Sequence, residues 1–448
     1  MKSLMTNKPS TFVIILALTT SLLATPTSTT AAEISLEQVT KDINVLASNT
    51  MKGRANFSPE IEQAADYINQ RFSQLGLSPL AGAKSFKQTF SIIQITPDNI
   101  RININGHDIA AEKIAIASTI KSLSWQKTDD FSTTIIGVDD KVSVIGVLNQ
   151  QGGNHLVLVN NQHAQQFNRY QGYFQRGITK LSADHQGAII VVLTDDTAIE
   201  SVNINATTRI ETKSITNMVG ILPGKSKAEE IVLYSAHYDH LGAKSEGEGD
   251  LIYNGADDDA SGTAAVINLA EHFAEKGNNA RTLMFTTFAA EEIGGFGSRY
   301  FSKQLNPDHV VAMINIEMIG KASKFGEGAL WMTGMERSNL GTLLNANLAT
   351  TGAEIYADPY PKFNLFYRSD NATLARLGVP AHSFSSTQID QDEHYHKVSD
   401  EVSSLNLPSM FKVIEALAKA TTGLVDGTDS PTRVDTSRVK VRSTGKIY

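Results

Sequence analysis

Four apolar runs in the second half of the chain constrain its fold most strongly. They cover residues 231–234, 282–290, 310–316 and 381–384. Helical patterns at 263–274 and 405–424 alternate with them. Short runs of this kind suit strands that are buried on both faces. The sequence from residue 217 onward therefore predicts an α/β fold, with a mixed, mostly parallel central sheet and helices on both of its faces.

A β-rich pattern occupies residues 86–215. Ile100, Ile102 and Ile104 alternate with polar residues up to Asn105-Gly106, which predicts a hairpin. Further short apolar runs cover 142–148, 156–159 and 188–193. We expect this stretch to be a β-rich domain inserted into the α/β domain.

The α/β domain is expected to begin before this insert. Apolar residues at helical spacing from Ile61 to Leu75 predict an amphipathic helix that ends at Gly76. We therefore assign 33–85 to the first part of the domain and 216–425 to its main part. After Gly427 the sequence is polar, and we expect the tail at 426–448 to be loosely held.

Residues 1–32 predict a secretory signal peptide. Lys2 and Lys8 precede an apolar stretch at 12–23, and small residues follow up to Ala32. The stretch is short for a permanent membrane span, although an uncleaved anchor is the alternative. No other apolar run reaches the length of a span, so we expect a secreted or periplasmic protein without a stable membrane anchor.

The composition excludes several kinds of site. The 448 residues include no cysteine, which removes disulfides, thiolate nucleophiles and cysteine-bound zinc. Lys and Arg number 39 and Asp and Glu 47, a net charge of −8. Because there is also no basic run, nucleic acid is not expected as a partner. The sequence does not indicate an oligomeric state.

Acidic residues and histidines follow the apolar runs. They comprise His237 and Asp239, the pair Glu291-Glu292, Glu317, the three consecutive acids 257–259, and the late His396 with Asp400. In open α/β sheets, ligands bind beyond the carboxyl ends of the strands. We therefore expect these side chains to converge in one crevice.

Several clustered carboxylates repel one another unless a counter-charge is present. Oxygen and imidazole ligands without thiolates suit catalytic zinc, cobalt or manganese. One carboxylate can bridge two such ions about 3.5–4 Å apart. Of the pair Glu291-Glu292, one residue would bind metal and the other would face the substrate as a general base. The sequence alone leaves open which of Asp257, Asp258 and Asp259 is the bridge.

In combination, these residues resemble the co-catalytic di-zinc aminopeptidase family of metallopeptidase clan MH, whose relatives include glutamate carboxypeptidase II and glutaminyl cyclase. The resemblance includes the His-x-Asp motif, the Gly-Ala-Asp-Asp-x-Ala-Ser-Gly loop, the Glu-Glu pair, the acid after the next strand and the late His. It covers most of residues 40–80 and 216–420, and it implies the zinc exopeptidase fold.

The resemblance implies two divalent metal ions, zinc in this family, and a set of ligands for them. The residues at the matching positions are His237, Asp257, Glu292, Glu317 and His396. Asp257 would bridge the two ions, with His237 and Glu317 on one and Glu292 and His396 on the other. The family usually has Asp at the position of Glu317, and the extra methylene of Glu still permits it to bind a metal ion.

Further roles follow from the same resemblance. Glu291 would be the general base, and Asp239 would orient the imidazole of His237. Tyr367 lies near the position at which family members often place a tyrosine that assists the oxyanion. We interpret His240 as a loop packing residue, and the family's His-x-x-x-Asp spacing favours His396 over His394.

The function implied is an exported metallo-aminopeptidase that removes N-terminal residues from peptides with a free N-terminus, through a metal-bridged hydroxide. Alternatives at the same site are a carboxypeptidase, a dipeptidase and a glutaminyl cyclase, and a non-catalytic binding module is a further one. A carboxypeptidase needs a cationic pocket, which the sequence does not locate. The inserted domain, of protease-associated or lid-like type, is expected to narrow access to the cleft.

Overall fold

The structure is a computed structural model that describes residues 33–126, 128–182, 186–442 and 445–448. The predicted signal peptide at 1–32 lies outside the described residues. Among the described residues, no helix is both long and apolar enough to cross a membrane.

The described residues form strands that are joined by α-helices, 3₁₀ turns and loops. The strands are β1 (Lys87–Ile104), β2 (His107–Asp108), β3 (Ile114–Ser118), β4 (Ser122–Trp125), β5 (Ser132–Ile136), β6 (Gly153–Val159), β7 (Ile178–Lys180), β8 (Gly187–Leu193), β9 (Val202–Leu222), β10 (Lys227–His237), β11 (Gly242–Ala243), β12 (Ile252–Tyr253), β13 (Arg281–Phe288), β14 (Val310–Ile316), β15 (Leu330–Met332), β16 (Ile355–Ala357) and β17 (Ala381–Ser385). The helices are α1 (Leu36–Leu46), α2 (Pro59–Gln74), α3 (Val144–Gln151), α4 (Ala164–Gln175), α5 (Gly262–Lys276), α6 (Phe296–Ser302), α7 (Leu340–Leu348), α8 (Asn371–Ala375), α9 (Leu407–Ala420) and α10 (Thr422–Asp426).

A large mixed sheet forms the centre of the molecule. Its strand order is β16-β15-β17-β14-β10-β13-β9-β1-β2, with β4 also paired to β9 and β7 to β1. The strands β17, β14, β10 and β13 are mutually parallel. On either side of this group, β15 and β9 pair with it antiparallel. The four predicted apolar runs are the four central parallel strands, which confirms the α/β fold.

Hydrophobic cores lie on both faces of this sheet. Val232 and Tyr234 of β10 pack into the larger core, which includes residues of α1, α2, α5 and α9. Leu233, between them, faces the opposite core with residues of α8. Neighbouring residues of a strand face opposite sides of the sheet, which explains this alternation. Since each core contains residues of helices, the prediction of helices on both faces is confirmed.

The predicted helix before the insert is also present, as α2. Ser58 caps it by accepting a hydrogen bond from the Ile61 amide at 3.3 Å.

Two of the predictions for the insert can be compared directly with the structure. The Asn105-Gly106 hairpin joins β1 to β2, and both turn residues have positive φ, as this turn requires. By contrast, the apolar run at 142–148 mostly lies in helix α3 rather than in a strand, because a short apolar run has no period that separates the two.

A long antiparallel ribbon connects the insert to the central sheet. Strands β1 and β9 pair from Lys87–Met218 at one end to Ile104–Val202 at the other. Phe90 packs in the core of the large sheet, whereas Ile102 packs in the core of the insert. A separate four-stranded sheet, β3-β8-β6-β5, completes the insert. Because the ribbon is continuous, the domain boundaries at 86 and 215 stay predictions.

The polar tail is packed against the rest of the protein, so the expectation that it is loosely held is wrong for its described residues. Val434 and Val439 are buried in the core beneath α8. Ile447 is 1% exposed and lies in the core of the insert. The aliphatic residues spaced along the tail anchor it at both domains.

Candidate metal centre and active site

The predicted site residues follow the carboxyl ends of the central parallel strands. His237 is the last residue of β10, Glu291 and Glu292 follow β13, and Glu317 follows β14. The irregular turn Ala256–Ser261 approaches from the side, directly before α5. Since parallel strands end at one edge of the sheet, the side chains converge there.

Two groups of ligand-type atoms meet at Asp258. The Nε2 atom of His237 lies 3.2 Å from Oδ1 of Asp258 and 3.3 Å from Oε1 of Glu317. On the other side, Nε2 of His396 lies 3.1 Å from Oδ2 of Asp258 and 3.3 Å from Oε2 of Glu292. Each oxygen of Asp258 therefore faces a different imidazole, which is the arrangement of a carboxylate that bridges two ions.

The assignment of Asp257 as the bridge is wrong by one residue. Its Oδ1 accepts a hydrogen bond from the Gly320 amide at 2.7 Å, and its Oδ2 accepts one from Thr387 at 2.6 Å. Burial raises the pKa of Asp257 to about 6. Although burial also opposes ionisation of Asp258, the neighbouring histidines hold its pKa well below the usual value. Of the three acids at 257–259, Asp258 is the one that the structure places in both groups of ligand-type atoms.

His240 also belongs to the cluster, and its interpretation as a packing residue missed this. Its Nδ1 lies 2.7 Å from Oε1 of Glu292 and 3.9 Å from Oδ2 of Asp258. The ring is fully buried. Among the described residues, neither ring nitrogen has a partner with acceptable hydrogen-bond geometry. The sequence signal was the spacing His-x-Asp-His, which places a second imidazole at the same strand end.

The donor set fits two divalent ions of the zinc type. Two groups of residues each bring their ligand atoms within 4.8 Å of one another, His237 with Asp258 and Glu317, and His240 with Asp258 and Glu292. Imidazoles and carboxylates are common ligands of catalytic zinc. Among the described residues, Nδ1 of His240 and Oε1 of Glu292 are buried without a hydrogen-bond partner, as suits atoms that would bind a metal ion.

Comparison with known proteins agrees with this geometry. Residues 217–421 match the sequence profile of peptidase family M28. We refer to this segment as the M28 domain, after the family whose profile it matches. The resemblance predicted from the motifs is thereby confirmed, and the matched segment, with its strands β10, β13, β14 and β17, carries every residue of the cluster.

Related sequences match parts of this chain. A "Probable zinc metalloprotease" of Pyrenophora teres f. teres is 34% identical over 145 residues, which cover 32% of this chain and 30% of the relative. A "Probable leucine aminopeptidase" of Arthroderma otae is 26% identical over 205 residues, which cover 44% of this chain and 53% of the relative. The chain thus spans about a third to a half of the length of the curated relatives it matches.

Solved structures share the fold over nearly the whole chain. An aminopeptidase from Aneurinibacillus sp. strain AM-1 superposes with a TM-score of 0.53 at 17% identity, covering 92% of this chain and 97% of the other. A zinc aminopeptidase from Bacillus subtilis gives a TM-score of 0.52 at 13% identity, covering 91% of this chain and all of the other. At these identities the likeness establishes the fold of the M28 domain.

Within the M28 domain, Asp239 holds the turn that carries the glutamate pair. Its two carboxylate oxygens accept hydrogen bonds from the backbone amides of Glu291, at 3.1 Å, and Glu292, at 3.3 Å. The side chain of Asn56 donates another at 2.7 Å. The carboxylate lies 3.7 Å from Nδ1 of His237, beyond a hydrogen bond, and that nitrogen is 3.1 Å from the Asp239 carbonyl oxygen instead. The backbone carbonyl of Asp239, and not its carboxylate, therefore contacts the imidazole that Asp239 was predicted to orient. The carboxylate of Asp239 positions Glu291 and Glu292 instead.

Glu291 presents a carboxylate to the cleft. It lines the cavity beside Asp258, Glu292 and His396. Burial raises the pKa of Glu291 well above its usual value, and the nearby carboxylate of Glu317 adds to this effect. A carboxyl group with a raised pKa is suited to accept and release a proton during catalysis.

Tyr367 is not part of the cluster, contrary to its expected oxyanion role. Its hydroxyl accepts a hydrogen bond from the Lys440 amide at 3.2 Å, so it is directed at the tail. Tyr395 lies in the cleft in its place, with its ring stacked on His396 at 4.0 Å between centroids. His394, the alternative to His396, faces away, with its Nδ1 3.0 Å from Ser399.

A buried guanidinium supports the floor of the site. Arg54 donates to the carbonyl oxygens of Leu46, Tyr238, Asn254 and Gly255, at 2.6 to 3.0 Å. Burial lowers the pKa of Arg54 to about 10, against the opposing effect of nearby acids. It ties α1 to the strand end at His237 and to the turn before Asp258.

Proposed function

We propose that the chain is a zinc-dependent aminopeptidase that removes N-terminal residues from peptides. The observation that carries this proposal is the meeting of two ligand groups at Asp258, with the carboxylate of Glu291 free beside them. The match of residues 217–421 to a peptidase family supports it. Acidic side chains around the cleft also suit a substrate with a cationic N-terminal amine.

In this proposal, the residues of the cluster hold two ions. His237, Asp258 and Glu317 would bind one ion, and Asp258, Glu292 and His396 the other, with His240 placed beside the second set. Such ions, when bound, activate water and polarise a carbonyl group. Asp239 and Arg54 keep the ligand-bearing loops in place.

The protein's own residues would carry the proton transfer and the binding of the substrate. Glu291 would accept a proton from the attacking water and deliver it to the leaving amine. Met318, Trp331 and Ile389 line an apolar recess beside Glu291, which suits the side chain of an apolar N-terminal residue. We also propose, from the pattern of residues 1–32, that the protein is exported to the periplasm or the medium.

Replacement of the proposed base tests this function. Glu291→Gln should lower kcat on leucine p-nitroanilide by about 10²- to 10⁴-fold, because the proton acceptor is lost. The zinc content per chain should stay unchanged, since Glu291 is not among the ligands. Glu248→Gln, in an exposed loop, is the matched control. If Glu291→Gln cleaves at the normal rate, or if the zinc-loaded protein cleaves no aminoacyl substrate, the proposal is wrong.

A further inference from the structure

We propose that a cationic recess next to the metal centre binds the free carboxylate of short peptide substrates. The recess is lined by Arg368, Arg376 and Arg442, together with Glu291 and Glu292 of the site. This inference rests on the proposed aminopeptidase function and names the class of peptide it would prefer. Arg442 comes from the tail, outside the segment that matches family M28.

The recess is continuous with the apolar recess at the catalytic residues. Both are lined by Glu291, Glu292, Arg368, Ser369, Tyr395 and His396. The apolar one adds residues such as Trp331 and Leu365, and the cationic one adds Arg376 and Arg442. A peptide bond at Glu291 would thus have an apolar recess and a cationic recess within reach.

The arginines of the recess have no acidic partner. Among the described residues, no carboxylate lies within 4.0 Å of the guanidinium of Arg368, Arg376 or Arg442. Arg442 donates to the Gly294 carbonyl at 3.0 Å, and Arg376 donates to those of Lys440 and Ala372, both at 3.1 Å. Neutral carbonyls fix these side chains in place and leave their charge uncompensated.

Repulsion among the arginines supports the same conclusion. Burial lowers the pKa of Arg376, and the neighbouring Arg442 lowers it further. The pKa of Arg299, on α6, falls to about 10 through burial and through the charges of Arg442 and Arg376. Like charges held together in one recess favour the binding of an anion, and guanidinium groups are suited to carboxylates.

The charges along the cleft match a short zwitterionic peptide. Carboxylates of the metal centre and arginines that have no acidic partner among the described residues line the same recess. A di- or tripeptide that places its amine at the centre would bring its carboxylate toward the arginines. A long peptide would place only neutral backbone there and would gain no charge interaction.

Paired substrates that differ only at the C-terminus test this inference. The zinc-loaded full-length protein is assayed with Leu-Gly-Gly and with Leu-Gly-Gly-amide. We expect kcat/KM to be about tenfold higher for the acid, mainly through a lower KM, as is typical of one hydrogen bond to a charged group. Arg442→Gln and Arg368→Gln should each reduce this acid-to-amide ratio several-fold.

The side chains of Arg368 and Arg442 are exposed, so Arg368→Gln and Arg442→Gln are expected to fold. Arg438→Gln, also an exposed arginine of the tail but outside both recesses, should keep the wild-type ratio. Equal kcat/KM for acid and amide in the wild type overturns the inference, as does an unchanged ratio in both recess variants.

The same assay separates the failure of this inference from the failure of the proposed function. Cleavage of both peptides and of leucine p-nitroanilide without any preference overturns the recess alone. No cleavage of any of the three substrates overturns both. Release of the C-terminal residue from N-acetylated Leu-Gly-Gly would overturn the aminopeptidase direction while supporting the recess.

Discussion

Asp258 links the two halves of the candidate metal centre, because each of its carboxylate oxygens faces a different histidine. Its neighbour Asp257, equally buried, instead ties the turn to Gly320 and Thr387. The difference between the two residues arises from backbone direction alone. Because both residues are aspartates, the direction of the backbone in the turn decides which of them reaches the metal centre.

His382 gives a test of electrostatics away from the metal centre. Its Nδ1 lies 2.7 Å from the Thr333 carbonyl, and burial lowers its pKa to about 4 from 6.5. A depressed pKa in the folded state means that stability is fully present above pH 6.5 and is lost as the pH falls toward 4. The loss is about 1.4 kcal/mol per pH unit, about 3 kcal/mol in all.

His382→Gln should therefore lose less stability than the wild type between pH 7 and pH 4, by about 3 kcal/mol. Urea unfolding at a series of pH values measures this difference. His309→Gln, at an exposed histidine, serves as the control and should keep the wild-type acid slope. Identical slopes for His382→Gln and the wild type would show that folding does not lower the pKa of His382.

Sequence patterns predicted individual site residues as far as spacing determines them. His237, Glu292, Glu317 and His396 meet at the cluster because strand ends fix their positions. The identity of the bridging acid and the direction of Tyr367 depend on backbone dihedrals and on contacts with the tail, which no local pattern contains. His240 could have been recognised, since it follows His237 at the same strand end.

The elements that present the ligands have unusual backbone conformations. Ala290, Met318 and His396 all have positive φ, although none is glycine. His396 belongs to the cluster itself, Ala290 directly precedes Glu291, and Met318 directly follows Glu317. Sparsely populated conformations of this kind cost about 1–3 kcal/mol each, and they persist where the surrounding structure fixes the chain. The strand-end turns are thus shaped for function at the expense of stability.

Gly255 tests how closely the turn before Asp258 is packed. It has φ of +56°, and a Cβ there would collide with the Asp258 carbonyl oxygen and lie 2.5 Å from the His240 ring. Gly255→Ala should lower the free energy of unfolding by more than about 2 kcal/mol and reduce zinc binding. Thermal unfolding and metal analysis measure the two effects.

Gly352→Ala is the matched control for this substitution. Gly352 also has positive φ, at +78°, but its Cβ would meet open space. It should cost only about 1 kcal/mol, from backbone strain alone. Equal destabilisation by the two substitutions would mean that the turn accommodates a side chain next to His240.

At the scale of elements, the strands and helices of the M28 domain follow from sequence, because long buried runs and amphipathic patterns have clear periods. The run at 142–148 shows where this fails, since a short apolar segment fits α3 as well as a strand. The β1–β9 ribbon was also not evident from the sequence. Strand β1, with 18 residues, and strand β9, with 21, each pass from one core to the other without a break.

Across the whole molecule, the tail connects the two domains. Val434 and Val439 pack on the M28 domain, whereas Ile447 and Tyr448 pack on the insert. Asn149 of α3 accepts hydrogen bonds from the backbone amides of Ile447, at 2.9 Å, and Tyr448, at 2.7 Å. The composition of the tail predicted a loosely held polar segment. The few aliphatic residues within it were the sequence feature that indicated packing against the rest of the protein.

Removal of residues 445–448 should destabilise the insert by about 3 kcal/mol, because the buried side chain of Ile447 and the ring contact of Tyr448 with Phe174 are lost. Hydrogen exchange should rise in α3 and α4 and stay unchanged in α5. Val441→Ala, at a side chain 90% exposed, is the control. Unaltered exchange in α3 and α4 would show that the insert is stable without the tail.

Anomalous scattering at the zinc edge, from crystals of the zinc-loaded protein, examines the metal centre itself. We predict two peaks about 3.5–4 Å apart, one on each side of the Asp258 carboxylate. One should contact His237 and Glu317, and the other Glu292 and His396. A single peak, or a peak bound by Asp257 in place of Asp258, would contradict the proposed centre.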